Sequence, residues 1–348
     1  MPQHFWQTLK KPVLILAPMA NVTDAAFRHM FALYNKTLPP DVRPVLYTEF
    51  VSVEGLLSRG AERLLPDLWF NKGGDANEHP IVAQIFGAKP EQFARAAAMI
   101  AAMGFDGIDI NMGCPDRAVE RQGAGAALIK TPKLAQEIIR ATKEGASGLP
   151  VSVKTRIGWN KETLDEWITA ILAERPAALT VHLRTRAEMS KVPAHWELAP
   201  RLAALRDAHA PLAFDADGRT IGGTLVIGNG DVASLDDARA KAAQYGLDGV
   251  MTGRGAFGAP WFFTGREPDI RERLTRMVEH TVLFEHLYKS DRTKGDGKIK
   301  NFDVMKKHYK AYCAGFDGAK ELRIRLMDAA DAAEVHTITE GFLQDAGL

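Results

Sequence analysis

The chain has 348 residues, 46% hydrophobic and 25% charged, which suits a globular protein with a barrel-sized domain and a smaller appendage. Its formal charge of +1 excludes a bulk attraction to nucleic acid, so an anionic partner has to be held by a local cluster. Two distant cysteines, Cys114 and Cys313, outside any CxxC spacing, exclude a disulfide or zinc framework and point to a reducing compartment, by default the cytoplasm.

The basic pair Lys10 and Lys11 precedes an apolar run that ends at Pro18. That run is too short to cross a bilayer and reads as a first strand, so no membrane association is expected. Further apolar runs recur at 45–50, 81–87, 107–113, 151–156, 178–183, 225–230 and 248–255, giving eight strands with the first. Helical patterns separate most of them. In one, Phe93, Ala97 and Ile100 share a face and Gly104 ends the helix; in another, Pro132 starts it and Gly145 stops it. Strands alternating with helices imply parallel pairing, and eight such units in about 250 residues match a (β/α)8 TIM barrel, an α/β fold. An open doubly wound sheet would show GxGxxG after its first strand, whereas "APMANVTD" contains no glycine.

A barrel places its functional residues at the carboxyl ends of its strands. The candidates there are Pro18 and Met19, Glu49, Gln84, Asn111 with Cys114, Lys154, His182, then Asn229, Gly230 and Asp231, then Gly253 and Arg254. "IGNGDV" and "MTGRG" lie on the last two strands, where glycines let backbone amides approach an anion and Arg254 offers a charged fork, as in a phosphate cradle. Lys154, at the end of an apolar strand, could stabilise negative charge on an electron-accepting ring. Gln84 and Asn111 can donate and accept at the edge of a flavin or nucleobase, and His182 could meet the same ring or its phosphate. Cys114, just past a strand end, could be a nucleophile, a metal ligand, a proton donor or a small apolar filler.

The ordered set "APMANVTDAAFR", "TEFVSVEGL", "IVAQIFG", "INMGCP" with "GAGAALIK", "VSVKTRIGW", "VHLRTR", "IGNGDV" and "GRGAFGAPWFF" resembles the tRNA-dihydrouridine synthases. The likeness is strong over 13–263 and looser through "MKKHYKAYCAGFDGAKELRIRL", similar to that family's C-terminal helical domain. It implies an oxidoreductase that reduces the C5–C6 bond of particular tRNA uridines with FMN as cofactor and NADPH or NADH as reductant. Cys114 matches the family's catalytic cysteine, which protonates C5 while reduced FMN delivers hydride to C6. Pro18, Met19, Gln84, Asn111, Lys154, His182, Asn229, Gly230, Asp231, Gly253 and Arg254 match FMN-contacting positions, Asn111 facing the uracil as well. Arg184 and Arg186 would border the RNA entrance, and Arg117 and Arg121 would be available for backbone phosphates. No metal site is implied. Cys313, at helical spacing with Phe302, Met305 and Tyr309, reads as a buried, inert cysteine.

The resemblance divides the chain into a catalytic barrel over 1–265 and a helical tRNA-binding domain over 266–348. From Lys289 to Arg325 eleven Lys or Arg face five Asp or Glu, a local charge of about +6. Lys298, Lys300, Lys306, Lys307 and Arg323 are its expected phosphate contacts. No protein partner is evident, and a monomer is expected. Two connections are longer than the family pattern, at 36–45 and 202–227, and both are expected around the barrel mouth or its supports. The alternatives are a small-molecule FMN barrel oxidoreductase, which would not need the basic helices, and a non-catalytic tRNA-binding relative, which would not need Cys114 and Lys154.

Overall fold

The computed structural model describes residues 4–216, 220–288 and 300–348. The strands are β1 (Val13–Leu16), β2 (Leu46–Tyr47), β3 (Val51–Ser52), β4 (Ile81–Phe86), β5 (Gly107–Met112), β6 (Val151–Arg156), β7 (Ala178–His182), β8 (Ala213–Phe214), β9 (Thr220–Gly222), β10 (Leu225–Asn229) and β11 (Gly249–Thr252). The helices are α1 (Phe5–Thr8), α2 (Ala25–Asn35), α3 (Val53–Leu56), α4 (Pro90–Met103), α5 (Arg117–Arg121), α6 (Pro132–Gly145), α7 (Leu164–Leu172), α8 (Ala199–His209), α9 (Leu235–Tyr245), α10 (Ile270–Tyr288), α11 (Lys306–Tyr312), α12 (Ala319–Asp328) and α13 (Ala332–Asp345).

Eight strands pair in parallel in the order β1, β11, β10, β7, β6, β5, β4, β2. A parallel bridge between Ile15 and Val45 closes the ring, so the fold is the expected (β/α)8 barrel. Alternation along the strands sorts their side chains into two cores. Val13, Ile15, Tyr47, Val82, Ile227 and Met251 fill the barrel, which Trp6 of α1 plugs from below. Leu14, Leu46, Ala83, Ile108, Ile110 and Val226 face outward against the helices.

The α4 and α6 helices follow the expected pattern. Phe93, Ala97 and Ile100 are fully buried, and Gly104 ends α4 at φ 88°. Gly145, expected to stop α6, is its last helical residue. A Cβ there would lie 1.9 Å from the Ala94 carbonyl oxygen, so the glycine lets α4 and α6 approach closely.

After Gly265 the chain leaves the barrel and α10 to α13 build a core of their own. Leu274, Met277, Phe284, Met305, Tyr309 and Tyr312 pack together and rest on Ala26 and Tyr34 of α2 and on Trp261. Cys313 is fully buried, its Sγ 3.6 Å from Met277 Sδ, as expected of an inert thiol.

Of the two places expected for the lengthened connections, the barrel mouth and its supports, the mouth is not where they lie. The 36–45 segment leads into the start of β2, and the β8–β9 hairpin leads into the start of β10. Lys10 N–H donates to the Asp41 carbonyl at 2.7 Å, and Lys11 Nζ sits 5.6 Å from the Phe214 ring centroid. Both insertions therefore gather around the chain preceding β1, at the amino-terminal ends of the strands and away from the mouth. No described helix is long and apolar enough to cross a membrane.

Candidate active site

The carboxyl ends of β1, β6, β7, β10 and β11 enclose a cleft of about 200 Å³. Pro18, Met19, Lys154, His182, Asn229, Gly230, Asp231, Gly253 and Arg254 line it, together with Arg184 and Ser190. It thus brings together nine of the eleven cofactor candidates. The register explains why: Lys154 stands opposite Asn111 and Thr180, Arg156 opposite His182, and Asn229 opposite both His182 and Met251.

At one end of the cleft Asp231 acts as an anchor for arginines. Its carboxylate accepts from Arg184, from Arg254 Nη2 at 2.7 Å and from the Ala194 N–H at 2.9 Å. The Arg184 bond, followed by the other donors, holds the Asp231 carboxyl below its ordinary range. Gly230 adopts φ 127°, and a Cβ there would lie 2.8 Å from Ala194 Cβ and 3.2 Å from His182 Cδ2. Only glycine fits that turn without displacing the cradle wall.

Cations surround His182. Burial first, then the charges of Lys154, Arg156, Arg184 and Arg254, push its pKa well below 6.5. The ring is therefore neutral and its Nε2, 3.0 Å from Arg184 Nη1, accepts. Lys154, half-buried, is lowered to about 8 by burial and by Arg156. Three cationic side chains and a glycine turn converging on one cleft suit a phosphate monoester better than a neutral ligand.

Beside the cleft a polar chain runs through the barrel. Asn111 Nδ2 donates to Gln84 Oε1 at 3.0 Å, Gln84 Nε2 donates to Asp109 Oδ2 at 2.7 Å, and Ser152 Oγ donates to Asp109 Oδ1 at 2.6 Å. Burial raises the Asp109 carboxyl to about 6 against the pull of those two donors. This is where Gln84 and Asn111 lie.

Asn111 Oδ1 accepts the backbone N–H groups of Gly113 at 3.1 Å and Cys114 at 2.9 Å, which sets the turn that presents the thiol. Arg156 Nε donates to the Gly113 carbonyl at 2.8 Å, and Ala126 N–H to the Cys114 carbonyl at 3.0 Å. Asp116 then caps α5, accepting from Ala118 N–H at 2.7 Å. Glycine at 125, φ 61°, is needed where the following segment presses on this turn, since a Cβ would lie 2.8 Å from the Cys114 carbonyl oxygen. The glycine-rich stretch is packed against the turn, with Ala124 and Ala126 fully buried. Cys114 itself is half-buried, and burial raises its thiol pKa above the ordinary value, only partly offset by the Asp116 backbone and by Lys154 and Arg156. The group is therefore a thiol and not a thiolate at neutral pH.

Arg156 and Asp109 escaped the sequence reading. Arg156 had a signal: at two residues past Lys154 on one strand, both side chains share a face. Asp109 had none, because an acidic residue within an apolar run does not reveal its partners.

The expected RNA contacts fare differently. Arg117 and Arg121 are exposed on α5. Arg184 is corrected: only 2% exposed, it is held by Asp231, the Val192 carbonyl and His182 inside the cleft wall. Arg186 forms a two-pronged pair with Glu120 of α5 and lies over the Trp159 ring at 4.6 Å. Lys300 is corrected too: its side chain is 10% exposed and bonded to Glu49 and, at 3.0 Å, to Asp67, so it fastens the chain before α11 to the barrel. Lys306 pairs with Asp303 at 2.7 Å, Lys307 is half-buried, and Arg323 Nη1 donates to the Cys313 carbonyl at 2.8 Å. Lys298 lies outside the described residues.

A cation-walled cleft and a positioned thiol at the carboxyl face of a parallel barrel define a barrel enzyme with an anion-holding site. The chain belongs to the dihydrouridine synthase family, whose model matches residues 15–346. It is 40% identical over 346 residues to a probable tRNA-dihydrouridine synthase of Staphylococcus aureus, covering 98% of this chain and 96% of that one. It is 39% identical to probable tRNA-dihydrouridine synthase 2 of Bacillus subtilis, covering 98% and 97%. Among solved structures, histamine dehydrogenase from Rhizobium sp. 4-9 matches 80% of this chain and 51% of its own, at 12% identity and a TM-score of 0.51. The chain thus spans about half of that protein, and the likeness is one of fold.

Proposed function

We propose that this protein reduces the C5–C6 double bond of uridines in tRNA to dihydrouridine, with FMN as resident cofactor, NADPH or NADH as reductant and Cys114 as the general acid. The observation that carries this reading is the neutral thiol of Cys114, fixed by Asn111 and Arg156 beside a cleft ringed by Lys154, Arg184 and Arg254.

The residues present fit FMN. Gly230, Gly253, Asn229 and Arg254 would take the phosphate, in a turn that a Cβ at position 230 would obstruct. Pro18, Met19, Gln84, Asn111, Lys154 and His182 would border the ring system, with Lys154 the cation nearest negative charge developing there. Asp231 would serve by holding Arg184 and Arg254 in place. FMN held there would supply the hydride for C6 of the uracil.

Hydride addition leaves electron density at C5 and O4, and the Cys114 S–H places a proton on C5; the thiolate so formed regains a proton from solvent. A thiol raised by burial holds its proton at neutral pH until that moment. The target uridine must leave its stack to reach the barrel mouth. The helices after Gly265 are proposed as the RNA-binding portion, with Lys306, Lys307, Arg323 and Lys298 as phosphate contacts and Arg117 and Arg121 beside the thiol. The two unpaired cysteines fit a reducing, cytoplasmic setting.

Purified protein given NADPH and unmodified tRNA, followed by nucleoside mass spectrometry, tests the reading. Bound flavin with new dihydrouridine supports it. Bound flavin with no dihydrouridine would shift the assignment to a small-molecule reductase.

A further inference from the structure

A second cleft, of about 510 Å³, opens on the same face of the barrel between the start of α6 and the start of α7. Ile129, Pro132 and Trp159 form its apolar wall, while Lys130, Lys161 and Glu166 bring charge to it. Trp159 is half-exposed, with Lys130 Nζ 4.3 Å and the Arg186 guanidinium 4.6 Å from its ring centroid, so a base reaches the indole by displacing the exposed Lys130 ammonium from it. Lys130 and Lys161 are exposed, and neither has an ion pair among the described residues.

We propose that this cleft is an RNA subsite that holds a nucleotide flanking the target uridine, with Trp159 as its stacking platform. The inference rests on the tRNA reading given above. Its size lies within the range of ligand clefts. An indole face stacks on any base, and adjoining ammonium groups meet the backbone phosphate. Glu166 repels a free anion but accepts from a ribose 2′-hydroxyl or an exocyclic amine, so the chemistry fits a ribonucleotide and not an inorganic ion.

Its position ties the cleft to the reaction. The loop carrying Trp159 begins directly after Arg156, whose guanidinium holds the Gly113 carbonyl next to Cys114. Arg186 bonds both to this loop, donating its backbone N–H to the Gly158 carbonyl at 2.9 Å, and to Glu120 of α5, the helix that starts three residues after the thiol. When one uridine is drawn out of its stack, its neighbour loses a stacking partner, and the indole replaces that partner.

The test uses unmodified tRNA and the full-length flavoprotein. Lys130→Glu with Lys161→Glu should raise the Kd for tRNA about tenfold or more and lower the magnitude of the log Kd against log salt slope by about two, one for each phosphate that a lysine neutralises. Both lysines are exposed, so flavin content and Tm should match the wild type. Trp159→Ala should weaken tRNA binding by about tenfold, and Trp159→Phe should restore most of it, which a purely structural role for the ring would not produce. Unchanged Kd and salt slope in the lysine variant, with wild-type protein that reduces tRNA, would overturn the cleft alone. Wild-type protein that neither binds nor reduces tRNA would overturn the functional reading beneath it.

Discussion

The side-chain oxygen of Asn111 accepts the backbone N–H of Cys114 at 2.9 Å, while the amide of the same side chain donates to Gln84 at 3.0 Å. The thiol is therefore aimed by a strand residue that the barrel interior holds in turn. Replacing Asn111 by Ala removes the acceptor from two backbone N–H groups. Each such loss is worth about 1–3 kcal/mol, about 2–6 kcal/mol for the two, so the rate of uridine reduction should fall by about thirtyfold or more, while flavin remains bound. Single-turnover mixing with tRNA reads this, and an unchanged rate would separate Asn111 from the chemistry.

If Lys154 borders the cofactor as proposed, cofactor binding should depend on pH. Burial and Arg156 lower its pKa to about 8, and an anion settling beside it favours the charged form. FMN affinity should be flat between about pH 7 and 8, above the second ionisation of its phosphate, and decline as pH rises further. Lys154→Met should weaken binding and abolish that inflection, which titration of flavin fluorescence would detect. A wild-type affinity that stays constant through this range would remove Lys154 from the ring-binding set.

The Glu120–Arg186 pair joins α5 to the segment following β7 and leaves Glu120 only 10% exposed. Its two-pronged geometry makes it more than a loose surface pair. Glu120→Gln should let the cysteine-bearing turn loosen, lowering kcat several-fold with a smaller change in the KM for tRNA, and Arg186→Gln should do the same. The combined Glu120→Arg and Arg186→Glu exchange should recover part of the loss. Three variants with wild-type kcat would show that α5 needs no such clamp.

His280 and His308 meet edge to face at 4.8 Å, buried between α2 and the C-terminal helices. Both nitrogens of His308 and Nε2 of His280 find no partner among the described residues. Burial lowers His280 to about 3 and His308 well below 6.5. Unfolding lets both rings take up protons, so stability holds above about pH 6.5 and is lost as pH falls from there toward 3. Thermal melts across pH 4–7 should show this decline, and His308→Phe should flatten it. A decline of equal steepness in the variant would place the acid sensitivity elsewhere.

Most of the barrel could be read from the sequence because each of its strands is a compact apolar run followed by a reactive or polar residue. β6 matches the 151–156 run residue for residue, and the other seven lie inside theirs. The cleft was legible for the same reason, since the fold brings all strand ends to one face. Charge partners were not legible. Lys300 and Arg184 look like RNA contacts when basic residues are read along the chain, yet Glu49 with Asp67, and Asp231, lie 251 to 47 positions away and hold them inside. The end of the barrel at which the insertions lie was not legible, because length alone does not reveal which end of a strand a connection serves.

The proton donor is best tested by the reoxidation of pre-reduced flavin when unmodified tRNA is added without oxygen, comparing wild type with Cys114→Ala. Wild type should reoxidise with one dihydrouridine formed per flavin, and the variant should keep its flavin yet slow by about 10²-fold or more. Equal rates in the two proteins would contradict the assignment of Cys114 as the general acid.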